Sequence, residues 1–380
     1  MRGHYRILLY LLFVVFILTL PLNSIYDTVA FFNGTIGDKT FVKTPFWFKL
    51  SKDIFLFFAV VLSSAYLIMR FNRKLVGLSI FFIVMIAFAA FSIFWMGPSM
   101  AAVLAIRSYL SIFFIFLGFY FFYFDPATVY PALRFIFYLE LIVQIFQMFL
   151  APNYYGGMSL FGYNMTNPGT FLIPSTMASF ALISLLYARQ KGDRLTEVFA
   201  ILSVVLAKSA TAYLIVFVFY SIQISRHFRF AFNLVATVVL FTAVVVFLNI
   251  DVITGRPGLI NNVYARVGIF DKAAASPFGE GFGLGSGGSV LLHVENAVIA
   301  DSTINSLLLN FGWIGFAVYF FFLALSVKYF RYHDLLLISF IAFSLTMIIF
   351  EMTPFIQFYF FELGRRMRKQ SEEITQLAHG

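Results

Sequence analysis

The chain lacks cysteine entirely and carries little charge. With no Cys among its 380 residues, it can form neither disulfide bonds nor thiolate metal sites, although this does not decide its compartment. Only 11% of the residues are charged, whereas soluble domains carry about 25%. Hydrophobic residues make up 61% of the chain, and its mean hydropathy is +0.92. This composition excludes a soluble globular domain and predicts an integral membrane protein.

The excess of positive charge does not indicate nucleic-acid binding. The net charge is +9, but the basic residues stand in short clusters between apolar runs, and no helix face collects them. The 54 Phe and 20 Tyr are spread through the chain, as expected for side chains that face lipid and its interfaces. Arg2 and Arg6 precede a long apolar run without a small-x-small cleavage site, which predicts an uncleaved first span.

Apolar segments long enough to cross about 30 Å of hydrocarbon occur throughout the chain. Two stretches, 195–225 and 335–363, are too long for one span and are flanked on both sides by basic residues, which favour the cytoplasm. Each is therefore predicted to be a pair of short or re-entrant helices, turning near Lys208–Thr211 and Glu351–Pro354. The other predicted spans are of ordinary length: 5–24, 52–70, 75–96, 103–124, 128–150, 168–187, 230–249 and 304–326.

These segments predict an all-α, polytopic membrane protein with about 12 transmembrane helices and both termini in the cytoplasm. Residues 1–249 hold the first nine predicted helices, and 304–363 hold the last three. Between them, 250–303 is the one large insert of different composition, and a loop this long is usually functional. It is predicted to be a loop on the outer, periplasmic side of the membrane. The charged tail, 364–380, is predicted to be a cytoplasmic helix or a disordered end.

The large loop contains a glycine run, Gly279-Glu-Gly-Phe-Gly-Leu-Gly-Ser-Gly-Gly288. No Lys-Ser/Thr follows it and no βαβ unit surrounds it, so it is not a nucleotide cradle. It is either a flexible loop whose backbone approaches a bulky polar ligand or a plain linker. Arg256 and Arg266 precede it on the predicted outer side, and arginine forks suit phosphate. They indicate a diphosphate-bearing lipid, with salt bridges to Asp251 or Asp271 as the structural alternative.

Charged and polar residues also occur at the predicted depth of the membrane. Arg107 lies about one turn below the outer end of the fourth span, where it either faces a cavity or snorkels to the interface. Lys208 stands at the turn of the first short pair. Of the two cations, it is the stronger candidate for a functional role. Glu140, Gln144 and Gln147 form a polar stripe on the fifth span. The stripe is either a proton relay or a helix-packing network with Lys208 or Arg107 as counter-ion.

Three residues of the large loop are candidates for acid–base chemistry: His293, Glu295 and Asp301. A histidine that titrates near neutrality, or a carboxylate, can take a proton from an attacking hydroxyl. Their spacing is not a metal-ligand signature, and a solvated loop histidine is the structural alternative. His293 and Asp301 are therefore the candidates for a general base, and nothing in the sequence requires a metal.

Several segments resemble motifs of the O-antigen polymerase and ligase superfamily. Arg266-Val-Gly-Ile-Phe270 and Pro277-Phe-Gly-Glu-Gly-Phe-Gly283 resemble its arginine, aromatic, proline and spaced-glycine pattern, with Phe270 where the family pattern has Trp. Asp301-Ser-Thr-Ile-Asn-Ser-Leu307 and Phe311-Gly-Trp-Ile-Gly315 resemble the end of its periplasmic loop and the helix that follows.

Two segments further upstream carry the same resemblance. Phe161-Gly-Tyr-Asn-Met-Thr-Asn-Pro168 is similar to the family's Asn-Pro loop. Lys208-Ser-Ala-Thr-Ala-Tyr-Leu214 is similar to its Ser/Thr-rich turn between short helices. The resemblance thus covers residues 160–320, while the first half of the chain is similar only in hydropathy.

The resemblance implies a Wzy-type polymerase, a glycosyltransferase of the bacterial inner membrane that extends O-antigen or a related surface polysaccharide. An acceptor hydroxyl would attack the anomeric carbon of a growing glycan, and undecaprenyl diphosphate would leave. The implied partners are undecaprenyl-diphosphate-linked oligosaccharides, the lipid bilayer and a chain-length regulator, with no cofactor and no nucleic acid. Arg266, His293 and Asp301 would be catalytic. Lipid diphosphate and glycan would be bound by Arg256, Arg266, Lys208, Arg107, Asn167 and Glu280.

Two alternatives to a polymerase remain open. Ligases of the superfamily transfer glycan to the lipid A core, and they are expected to have a histidine-rich stretch where this chain has Asp301-Ser-Thr303. A lipid-linked oligosaccharide flippase would be a transporter, and transporters usually show two matching halves and charges near the midplane. This chain shows no internal repeat and concentrates its distinctive residues in one outer loop, which favours the polymerase.

Overall fold

The described part of the chain is helical throughout. The computed structural model describes residues 2–32, 45–49, 51–70, 72, 75–96, 106–150, 167, 169–171, 173–227, 278–279 and 302–379. Every regular element within these ranges is a helix, and they contain no strand, which confirms the all-α class. The predicted span 230–249 and most of the large loop lie outside them.

The apolar helices are consistent with a membrane protein. Three helical segments of the described residues are long and apolar enough to cross a membrane: Tyr5–Ala30, Lys52–Met69 and Pro126–Phe149. Shorter apolar helices cover Ile106–Tyr120, Ala210–Ser225, Trp313–Tyr329 and Leu335–Thr346. In chain order the α-helices are α1 (Arg2–Thr19), α2 (Ile25–Phe32), α3 (Phe46–Lys49), α4 (Ser51–Met69), α5 (Val76–Met96), α6 (Phe113–Tyr120), α7 (Tyr130–Leu150), α8 (Pro174–Lys191), α9 (Arg194–Ala207), α10 (Ala210–His227), α11 (Thr303–Phe311), α12 (Trp313–Tyr329), α13 (Leu335–Thr346) and α14 (Phe355–His379).

The helix break predicted within each of the two long stretches is confirmed, whereas the crossing of the membrane by the helices on either side stays a prediction. In the first pair, α9 ends at Ala207 and α10 begins at Ala210, so the break falls at Lys208 and Ser209. In the second pair, α13 ends at Thr346, a 3-10 turn covers Ile349–Glu351, and α14 begins at Phe355. The tail is helical, since α14 continues to His379.

Two predicted spans differ from the structure. The prediction of one span over 304–326 is wrong, because α11 and α12 are separate helices that meet at Gly312. Gly312 has φ 61° and ψ −141°, a conformation outside the helical region that glycine adopts readily. The predicted span 168–187 becomes α-helical only at Pro174, after a 3-10 turn at Gly169–Phe171.

The chain forms two compact units, and each is built from three separate stretches. The first unit contains Met1–Asp53, Pro126–Tyr264 and Tyr332–Ala342. The second contains Ile54–Asp125, Ala265–Arg331 and Phe343–Gly380. The stretches alternate along the sequence, so each unit draws on both halves of the chain.

In the first unit, α7 and α9 run parallel and are joined by hydrogen bonds. Tyr138 Oη pairs with Thr196 Oγ1 at 2.8 Å, and further along Ser203 Oγ donates to Gln144 Oε1 at 2.7 Å. The two pairs have nearly the same separation in sequence, as expected for parallel helices in a fixed register. α8 packs against α9 and returns the chain to the start of α9.

Asp193 fixes the beginning of α9. Its carboxylate accepts from the backbone amide of Thr196 at 3.1 Å, and it also accepts from Tyr130 Oη at 2.8 Å and Arg134 Nη1 at 3.1 Å. These bonds, with the Thr196 amide as the largest cause, lower the pKa of Asp193 to about 2. The residue is therefore an ionised N-cap at neutral pH, which suits the positive end of the helix dipole.

Charged residues also join the same ends of α8, α9 and α10. Arg189 forms an ion pair with Glu197 at 3.4 Å and a hydrogen bond with Gln223. Its guanidinium lies over the ring of Phe219 at 5.3 Å, and Tyr220 Oη donates to Glu197 at 2.8 Å. Charged side chains thus connect the three helices at this end. At the other end the contacts are made by uncharged polar groups and one carboxylate.

In the second unit, α6 and α14 pack with their backbones in direct contact. A Cβ atom at Gly118 would overlap the carbonyl of Phe361, and one at Gly364 would overlap the carbonyl of Ile115. Small residues that let helix backbones approach in this way are typical of helix pairs in membranes. Large fully buried side chains of this unit include Phe114, Phe116, Phe119, Phe322 and Tyr359.

Candidate functional site

The structure describes three of the residues predicted to form the site. Asn167 and Lys208 belong to the first unit, while Arg107 belongs to the second, half-buried at the start of the helical segment Ile106–Tyr120. The remaining predictions fall outside the described ranges and stay predictions: Arg256, Arg266, Glu280, His293 and Asp301.

The predicted polar stripe on α7 is fully buried and binds a non-α-helical part of the chain. Residues 167 and 169–171, here called the inserted segment, lie against Glu140, Gln144 and Gln147. Gln147 makes a two-way contact with Gly169: its Oε1 accepts from the backbone amide at 2.8 Å, and its Nε2 donates to the carbonyl at 2.9 Å. One side chain therefore satisfies both backbone polar groups of Gly169.

Glu140 and Gln144 complete this contact. Glu140 Oε2 accepts from the backbone amide of Thr170 at 2.7 Å, and its Oε1 accepts from Thr170 Oγ1 at 2.5 Å. Gln144 Nε2 donates to the carbonyl of Asn167 at 2.7 Å. The stripe is thus a packing network, one of the two predicted alternatives. The predicted counter-ion, Lys208 or Arg107, is wrong, because the hydrogen bonds to the Glu140 carboxylate come from Thr170.

The depth of the inserted segment explains why an apolar helix carries this stripe. Glu140 lies ten residues before Leu150, the end of α7, which corresponds to about 15 Å along the helix. Irregular backbone at such depth is tolerated only where it is buried in protein or lines a watery cavity, because lipid offers no hydrogen bonds. The carboxylate and amides of α7 supply the partners that the inserted segment would otherwise lack.

The inserted segment is also held by α9 and by the end of the first span. The backbone amide of Asn167 donates to the carbonyl of Leu206 at 3.2 Å. Ser24, in the 3-10 turn that follows α1, donates to the carbonyl of Thr170. Three parts of the first unit therefore converge on four residues.

Glycine is the one residue type that fits at position 169. Its φ is +61°, in the left-handed region that L side chains rarely adopt. A Cβ atom there would overlap Glu140 Oε2 and would also lie 3.3 Å from Met177 Sδ. Any other residue at this position would therefore strain the backbone and displace the Glu140 side chain.

Lys208 forms the break between α9 and α10. It is half-buried and adopts the left-handed conformation, with φ 51° and ψ 41°. Ser209 then begins the next helix, its Oγ accepting from the amide of Ala212 at 3.5 Å. Because the Asn167 amide binds the carbonyl of Leu206, Asn167 and Lys208 lie at the same place in the unit. Asn167 of one motif therefore lies near Lys208, the first residue of the other, which is 41 positions later in the sequence.

In the second unit, the start of the glycine run contacts the joint between α11 and α12. Gly279 packs so closely that a Cβ atom there would lie 2.6 Å from the backbone nitrogens of Phe311 and Gly312. Gly279 belongs to the predicted loop motif, and Gly312 belongs to the motif that follows the loop. The second pair of family-like motifs thus also meets, through backbone contact.

The sequence analysis missed a buried polar cluster in the second unit. Asn310 Nδ2 donates to Tyr109 Oη at 3.0 Å and to Ser306 Oγ at 3.3 Å, and all three residues are buried. The Oδ1 atom of Asn310 has no hydrogen-bond partner among the described residues. The spacing of Ser306 and Asn310, one turn apart on an apolar helix, was the signal available in the sequence. Tyr109 lies 197 residues before Ser306, so no pattern connects it to them.

Comparison with known proteins yields no relative. No protein-family model matches the chain, and neither a curated protein nor a solved structure is detectably similar to it. The family resemblance therefore depends on the motifs and on their positions. In the described residues, Asn167 bonds Leu206, two residues before Lys208, and Gly279 contacts the backbone of Gly312.

Proposed function

We propose that the protein is a Wzy-type polymerase, which joins undecaprenyl-diphosphate-linked repeat units into a surface polysaccharide at the periplasmic face of the inner membrane. The observation that supports this most is that Asn167 bonds Leu206, two residues before the helix break at Lys208 in the first unit. Non-helical backbone at membrane depth is found where it is buried in protein or lines a polar cavity. A cation and an amide at such a place suit a lipid diphosphate and its attached glycan.

The proposed reaction exchanges one bond at the anomeric carbon for another. The acceptor hydroxyl oxygen forms a bond to the anomeric carbon of the donor glycan, and the bond from that carbon to the diphosphate oxygen breaks. The hydroxyl proton passes to a general base, for which His293 and Asp301 are the candidates, and undecaprenyl diphosphate leaves. Because the leaving group is already activated, the main tasks of the protein are to position both substrates and to neutralise developing charge. Lys208, Arg107, Arg256 and Arg266 are the proposed cations.

Removing the charge of Lys208 without straining the backbone tests this site. Lys208→Gly keeps the left-handed conformation, which glycine adopts more readily than lysine, so the protein should remain folded. Polymer yield should nevertheless fall about tenfold or more, since a hydrogen bond to a charged group contributes about 1.5–3 kcal/mol. Lys208→Arg should keep most of the yield, measured by gel electrophoresis of the glycan against membrane protein level.

Lys191→Ala is the matched control for Lys208→Gly. It removes an exposed lysine at the far end of α8 and should leave the polymer unchanged. Full polymer yield from Lys208→Gly would contradict a role for Lys208 in binding the lipid diphosphate.

The side of the membrane can be tested directly because the chain has no native cysteine. A single Cys at Ser276, just before the glycine run of the loop, should react with a membrane-impermeant maleimide in intact cells. A Cys at Gln190 should react only after permeabilisation, because the basic residues around it favour the cytoplasm. Labelling of both positions from the same side would contradict the proposed topology.

A transporter is the second candidate function, and the breaks in the helices are the observation that favours it. Transporters build their substrate sites from discontinuous helices near the midplane, and this chain has breaks at Lys208 and Gly312. The sequence shows no matching halves, which such transporters usually have. A flippase would leave lipid-linked units on the cytoplasmic side when removed, an outcome that the deletion experiment in the Discussion distinguishes.

A further inference from the structure

We infer that Glu140, Gln144 and Gln147 are positioning residues, which fix the inserted segment so that Asn167 is held beside the α9–α10 break at Lys208. This inference rests on the proposed function of that site. It assigns the carboxylate of Glu140 a role in holding backbone, and it excludes a role as a proton carrier.

The geometry of the contacts supports positioning. Each of the three side chains bonds the inserted segment, and Gln147 and Glu140 each bond a single residue of it through two hydrogen bonds. The partners at Asn167 and Gly169 are backbone groups, which cannot move without moving the chain. The bond from the Asn167 amide to the carbonyl of Leu206 then ties the segment to α9 two residues before Lys208. A shift of the segment would therefore change the distance between Asn167 and Lys208.

The bonds of Glu140 can be made without its charge. Thr170 offers a backbone amide, which only donates, and a hydroxyl, which both donates and accepts. In Glu140→Gln, the amide oxygen can accept from the Thr170 amide while the amide nitrogen donates to the Thr170 hydroxyl. Both contacts survive with one reversed in direction, whereas Glu140→Ala loses both and leaves buried polar groups unpaired. The two substitutions therefore separate positioning from proton transfer.

The first experiment measures position and does not depend on activity. In the full chain in membranes, Asn167 and Leu206 are both replaced by Cys. Because the backbones of these two positions are hydrogen-bonded, oxidation should join the two Cys residues in high yield. Glu140→Gln should leave this yield unchanged, and Glu140→Ala should lower it severalfold. Thr170→Val, which removes only the hydroxyl, should lower it less and serves where Glu140→Ala does not accumulate. A yield that is the same in all backgrounds would overturn the inference.

The second experiment measures catalysis with purified undecaprenyl-diphosphate-linked repeat units as substrate. Glu140→Ala should lower kcat/KM about tenfold or more, with KM raised, and Glu140→Gln should restore it to within about twofold of the parent. Tyr138→Phe is the matched control, since it removes a bond between α7 and α9 without touching the inserted segment. Its kcat/KM should equal that of the parent.

The outcomes separate this inference from the proposed function. If Glu140→Gln is as inactive as Glu140→Ala, the inference that Glu140 is a positioning residue is overturned. That result would indicate that the carboxylate carries a proton. A parent protein that makes no polymer would contradict the polymerase, while the cross-linking yields would still decide whether Glu140 holds the segment.

Discussion

Replacing Arg266 by alanine should abolish polymer while the protein still inserts into the membrane. Arg266 is the first residue of the motif that resembles the polymerase and ligase family, and it is the proposed partner of the lipid diphosphate. Its guanidinium offers a planar fork that bonds two phosphate oxygens at once. Arg266→Lys should recover little, because an ammonium group acts as a point charge and cannot reproduce the fork. Glycan ladders and immunoblots of membranes measure the two properties separately.

The control for this prediction removes an arginine that the proposed topology places on the cytoplasmic side. Arg331→Ala changes the net charge by the same amount, and Arg331 is exposed after the end of α12. It should leave the ladder intact. Wild-type polymer from Arg266→Ala would rule out a diphosphate role for Arg266 and would remove the main support for the family resemblance.

Charge patterning predicted the two broken helix pairs, and hydropathy alone missed the third break. Stretch 195–225 is apolar over most of its length, but basic residues at both ends predicted an even number of crossings and hence a break in the helix. The structure has such a break at Lys208. Basic residues do not flank Gly312 in this way, because apolar residues continue on both sides of it. The backbone conformation that separates α11 from α12 is local to one glycine and leaves no mark on hydropathy.

The polar stripe on α7 was predictable, and its partner was not. Glu140, Gln144 and Gln147 follow helical spacing, which identifies a shared face. Their partners, Thr170 and Gly169, lie 22 to 30 residues later in a stretch without periodicity, where sequence patterns carry no information about contact. The sequence analysis proposed Lys208 or Arg107 as the counter-ion, whereas the backbone amide and the hydroxyl of Thr170 make the hydrogen bonds to the Glu140 carboxylate.

The cluster around Asn310 was missed for the same reason, because a single sequence does not show which distant segments are in contact. Ser306 and Asn310 share a helix face, but Tyr109 comes from a distant segment of the second unit. Long-range contacts of this kind are set by packing and are invisible in one sequence. The motif resemblance did better at long range, because it indicated Asn167 and Lys208 as parts of one site, and the structure bonds Asn167 to Leu206, two residues before Lys208.

The most direct test of the central claim is the lipid-linked and surface glycan of a strain that lacks this gene. If the protein is the polymerase, the strain should still assemble one repeat unit, export it and attach it to its final acceptor. Its surface should therefore carry a single repeat in place of a ladder, and the full-length protein on a plasmid should restore the ladder.

The alternatives predict different pools in the same strain. Loss of a ligase would leave long chains on undecaprenyl diphosphate, and loss of a flippase would leave single units facing the cytoplasm with nothing at the surface. The measurement is the length distribution of glycan on undecaprenyl diphosphate and on the cell surface. The proposed polymerase predicts single repeats in both places, and full-length chains in the lipid-linked pool would contradict it.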